Sequence, residues 1–117
     1  MDLLELVRAL RNHRALDARQ WVADAMRAEV RLADYERPSG LDTVDLAIAA
    51  GVVELLASRW HQAVPEWTRD VPGVGEPFLL VKAAAYLPRL RRSCEEEGPE
   101  PLRRRGLLAP PDFLTAA

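Results

Sequence analysis

The sequence predicts an all-α fold: a single-domain helical bundle of four to five helices over residues 1–106, with a proline-rich loop and an extended, apolar C-terminal tail over residues 107–117. Three observations carry that expectation. An almost unbroken apolar run extends from Val44 to Trp60, two earlier segments place apolar residues at helical spacing, and the prolines and most of the glycines fall outside these segments. A chain of 117 residues supplies one core and not two, and 49% hydrophobic with 29% charged residues matches a folded globular domain.

Leu3, Leu6, Val7 and Leu10 fall on one face of a first helix, opposite Glu5, Arg8 and Asn12. Asp17 followed by Gln20 resembles a capping box, which predicts a second helix from there to about Leu32. Its apolar side is read as Trp21, Val22, Ala25, Met26 and Leu32, and its solvated stripe as Gln20, Asp24, Arg27 and Arg31. Turn chemistry over Asp34–Gly40 breaks the pattern. Asp42 with Asp45 then caps a third helix running to Trp60, where Asp45 and Glu54 lie on opposite sides. Without a continuous polar face, this helix belongs in the centre.

Pro65, Pro72, Gly73, Gly75 and Pro77 forbid a long helix, so residues 64–77 form a loop over the bundle, anchored by Trp67 and Val71. Phe78–Val81 fits either a short strand or the start of a helix through Ala83, Ala84 and Ala85; the alanines favour helix. Pro88 opens a further helix that Gly98 and Pro99 stop, and a brief turn covers Leu102–Arg105. Beyond it, Leu107, Leu108, Phe113 and Leu114 are too apolar for a solvated tail, and Pro110 and Pro111 bar a helix.

A net charge of −2 argues against a surface built throughout for nucleic acid or anionic lipid. The lone Cys94 fits a reducing compartment, no apolar run reaches the length of a membrane span, and a cytoplasmic protein is the expectation. His13, His61 and Cys94 are too scattered to enclose a metal, so neither a metal site nor a cofactor is expected. No nucleophile elbow or phosphate loop is present and no catalytic residue is assigned. Two places remain. Trp67, Arg69 and Asp70, with Glu66, form a possible loop site whose carboxylates would suit a small hydrolase or transferase. Arg103, Arg104 and Arg105 with Leu108, Phe113 and Leu114 form a candidate partner-binding set, forked cations beside apolar side chains. Glu95, Glu96, Glu97 and Glu100 interrupt the basic residues, which disfavours nucleic acid and favours a protein partner or self-association.

The segments His13–Gln20, Trp67–Asp70, Glu76–Pro77, Pro101–Arg105 and Pro110–Leu114 carry a resemblance. Through them the chain is similar to a small uncharacterised bacterial protein family and to the C-terminal segments of toxin-antitoxin-associated helix-turn-helix regulators. The resemblance implies a non-enzymatic interaction module, an antitoxin-like partner of a co-encoded protein. A DNA-associated regulator using the Arg-rich C-terminal half is the alternative it leaves.

Overall fold

The computed structural model describes residues 1–115 and is mostly helical. In chain order it holds α1 (Leu3–Arg11), α2 (Ala15–Arg27), α3 (Thr43–Trp60), β1 (Phe78–Leu79), α4 (Pro88–Glu97), α5 (Glu100–Arg103) and β2 (Leu107–Leu108), with 3₁₀ turns at Leu32–Asp34, Glu66–Asp70 and Lys82–Ala85.

The centre is α3. Asp42 caps it by accepting from the Asp45 amide, and Arg11 of α1 reaches both carboxylates. Every residue from Ala47 to Ala57 is buried, because α1 packs on one side while α5 and the Glu66–Asp70 turn pack on others. Gly51 makes one of these approaches possible: a Cβ there would lie 2.7 Å from Leu102 Cδ2 and 3.5 Å from Leu107 Cδ1. The missing side chain lets α5 and β2 sit directly on the helix backbone.

α2 departs from the expected bounds at both ends. It starts at Ala15, and neither Asp17 nor Gln20 caps it; the N-cap position is Arg14, without a side-chain hydrogen bond. His13, at φ 57°, turns the chain so that the Arg14 amide donates to the Ala9 carbonyl, and Gln20 instead donates to Asp24. The helix ends at Arg27 rather than near Leu32, because Glu29 takes φ 51° and the Val30 amide returns to the Ala25 carbonyl. Its buried face is Ala18, Trp21, Val22 and Ala25; Met26, expected to join them, is exposed.

The open choice at Phe78–Val81 falls to a strand, with the alanines in the 3₁₀ turn that follows. β1 and β2 pair in parallel, Phe78 with Leu107 and Leu79 with Leu108. α4 and α5 supply the crossover that a parallel pair requires. Leu108 then joins Ala84 and Cys94 in a small second core, where burial pushes the Cys94 thiol up from its ordinary pKa. Gly98 closes this region, since a Cβ on it would stand 2.5 Å from the carbonyl oxygens of both Ala109 and Cys94. Neither backbone oxygen can swing away. Gly98→Ala is therefore expected to cost about 1–3 kcal/mol through overpacking, measured by urea unfolding. Wild-type stability in that variant would show that this corner has slack.

Residues 107–115 pack on the rest of the chain rather than project from it. Leu107, Leu108, Ala109, Phe113 and Leu114 are all buried. Arg59 at the end of α3 donates to the Pro111 and Phe113 carbonyls and clamps the final turn. The last two residues of the expected 107–117 extension lie outside the described residues.

Candidate functional site

The polar residues singled out from the sequence are divided by the fold into an internal cluster and a scattered surface set. Arg105 is 3% exposed and all five of its guanidinium N–H groups donate: Nε to the Val71 carbonyl, Nη1 to Glu54 and the Pro101 carbonyl, Nη2 to Glu54 and the Thr68 carbonyl. A cation so fully bonded is a tie between α3, α5 and the Glu66–Val71 segment. Arg104 is half-exposed and shares Glu54 while lying 3.7 Å from Glu100. Arg103 is exposed and donates to the Glu96 carbonyl. The three arginines thus point into three different environments, and Leu108, Phe113 and Leu114 lie in the cores beneath the tail.

Trp67 anchors its loop as expected, donating through Nε1 to the Tyr35 carbonyl, while Glu66, Arg69 and Asp70 are exposed. A cleft beside this turn is lined by Arg69, Val71, Gly73, Arg104 and Arg105. Neither loop carboxylate lines it, so the acids and Arg69 do not converge there on one enclosed space. Among the described residues no group of three His, Cys, Asp or Glu side chains is placed to hold a metal ion. No helix among them is long and apolar enough to cross a membrane. His13, one of the scattered ligand candidates, stacks on Phe78 and places Nε2 2.7 Å from the Leu79 carbonyl, to which it donates.

A larger concavity lies elsewhere. A groove of about 680 Å³ runs between the α1–α2 corner and the segment carrying Leu80–Ala83, and the Pro110–Thr115 turn closes one end. Its apolar lining comes from Leu10, Ala15, Leu16, Ala23, Val81 and the remaining edges of Phe113 and Leu114. Along its rim stand Arg14, Arg19 and Lys82, against the single carboxylate of Asp112.

α2 presents two apolar faces. Ala18, Trp21, Val22 and Ala25 point inward, while Leu16, Ala23 and Met26, with Arg19 among them, fall at i, i+7, i+10 and i+3 on the opposite side. That is the spacing of a helix-pairing seam. Leu16 is 78% exposed and Met26 48%, though large apolar side chains on a monomer's surface are individually unremarkable. Leu16 and Ala23 also line the groove, which Met26 does not, so the seam runs from the groove onto the open surface. Sequence reading missed it because Leu16 was given no face and Met26 the wrong one; the available signal was the second heptad-spaced stripe.

Compared with known families, with curated proteins and with solved structures, the chain finds no match in any of the three.

Proposed function

We propose that this protein is a non-enzymatic interaction module, an antitoxin-like binder of a co-encoded protein, and that it docks its partner in the groove beside α2. The observation that carries this reading is the outward seam of α2, where Leu16 stands almost fully in water above an apolar groove. Burying one such side chain contributes about 1.5–3 kcal/mol, so a partner covering Leu16 and the groove beneath it acquires a hydrophobic centre with Arg14, Arg19 and Lys82 at its border. The bundle itself, with α1, α2, α5 and the C-terminal segment gathered about α3, is the rigid support that holds this face open. Phe113 and Leu114 keep a part in binding through the edges they show the groove.

The test is co-expression with the product of the adjacent gene, followed by size-exclusion chromatography. The wild-type chain is expected to elute as a complex, and Leu16→Glu to elute alone with its melting temperature unchanged. Two chains that never associate, or a complex that survives Leu16→Glu intact, would overturn the reading.

A further inference from the structure

The groove also constrains what kind of segment fits it. We infer that its occupant is an acidic amphipathic helix, an inference that rests on the docking role proposed above and adds the partner's shape and charge. The shape follows from α2. Leu16, Ala23 and Met26 lie along one face of a 13-residue helix, about 20 Å long at 1.5 Å per residue. The small Ala23 in the middle of this line admits a helix lying alongside, with its own apolar residues falling on either side of Leu16.

The charge follows from the rim. Arg19 and Lys82 form no ion pair among the described residues, and Arg14 has only Asp17, 3.7 Å away. Arg19 stands within the apolar line and Arg14 and Lys82 line the groove beside it, so a helix with Glu or Asp bordering its apolar stripe pairs with them as it docks, and a lysine-rich helix meets repulsion.

A second copy of this chain fits poorly. Pairing α2 with α2 would bring Arg19 of both copies into one seam, and α4, with three arginines against three glutamates, is not an acidic helix and already buries Cys94 and half-buries Leu90 in its own core. Duplex DNA fits poorly too, since it would leave Leu16 and Met26 against phosphate and solvent.

The experiment uses the full chain and two synthetic 14-residue helical peptides that share one leucine stripe, one bearing glutamates and the other lysines, read by fluorescence anisotropy. A labelled 20-base-pair duplex is the third probe. The glutamate peptide is expected to bind at least ten-fold more tightly than the lysine peptide and to weaken as salt is raised. Arg19→Glu with Lys82→Glu is expected to reverse that order while leaving the circular-dichroism melt unchanged. Two peptides that bind equally, or a lysine peptide that binds better, would overturn the charge assignment and leave the groove as a docking site. If neither peptide binds, or if the duplex binds in their place and loses affinity in the charge-reversed variant, both the inference and the docking reading fall.

Discussion

Arg105→Met is expected to destabilise the protein by about 3–5 kcal/mol, the cost of leaving a buried carboxylate without its partner. Glu54 sits near the middle of α3 with its side chain 10% exposed, and Arg105 binds both of its oxygens, at 2.6 and 3.1 Å. Half-exposed Arg104 retains one contact to Glu54 but cannot enter the space that Arg105 vacates. The variant also strands the carbonyls of Thr68, Val71 and Pro101, which face Arg105 in the native chain. Against a typical domain stability of about 5–15 kcal/mol, such a loss brings the variant near the threshold of folding. Adding Glu54→Leu removes the orphaned charge, so the double variant is expected to be more stable than the sum of the two single effects by about 0.5–3 kcal/mol. Urea unfolding of the four proteins measures this, and Arg105→Met within 1 kcal/mol of wild type would refute it.

The same pair sets an acid limit. Burial alone would push the Glu54 carboxyl up, but the hydrogen bond and charge of Arg105, with help from Thr68 and Arg104, outweigh it and hold the pKa below its ordinary value. A depressed carboxylate contributes stability above its unfolded pKa, about 4.3, and loses that contribution as pH falls through the folded value. Wild type is therefore expected to weaken below about pH 4.3. In Arg105→Met the dominant influence becomes burial, so protonating Glu54 relieves the penalty and the gap between the two proteins narrows on acidification.

This pair also marks where sequence reading stops. The cap at Asp42, the apolar run behind it and the stop at Gly98 each depend on neighbours within a turn or two, and all were legible; Trp67 was legible as an anchor, but its acceptor, the Tyr35 carbonyl 32 residues away, was not. Glu54 was visible as an acid on an apolar helix, opposite Asp45, but its partner lies 51 residues further on. Three consecutive arginines are chemically equivalent candidates for that role. Only the short α5, seated at Gly51, decides that Arg105 turns inward while Arg103 faces water. The groove was illegible for a related reason. Periodicity shows that α2 has two apolar stripes, but the choice of buried stripe belongs to α1 and to Trp21, whose indole N–H donates to the Asp2 carbonyl and turns that face inward.

Deleting residues 107–117 is expected to abolish cooperative folding. The sequence alone allows a tail that completes the core or one that serves as an arm for a dimer or partner, and its proline-rich apolar end favours the arm; the packing favours the completed core instead. Leu107 is fully buried against α3 at Gly51, Leu108 completes the second core with Ala84 and Cys94, and Phe113 and Leu114 belong to the main one. Removing the segment also strips the Leu80 amide of its acceptor, the Leu108 carbonyl, and leaves the half-buried Arg59 without the carbonyls it clamps. Each lost apolar side chain is worth about 1.5–3 kcal/mol, and the ordering entropy of the tail returns only part of that sum. A point variant separates packing from chain length: Leu107→Ala leaves the backbone intact and is expected to cost about 2–5 kcal/mol. Circular dichroism during heating reads both, as a lost transition in the truncated chain and a lowered midpoint in Leu107→Ala. A truncated chain that melts cooperatively near the wild-type temperature would show instead that the tail is an arm resting on a finished core, available to leave it for a partner.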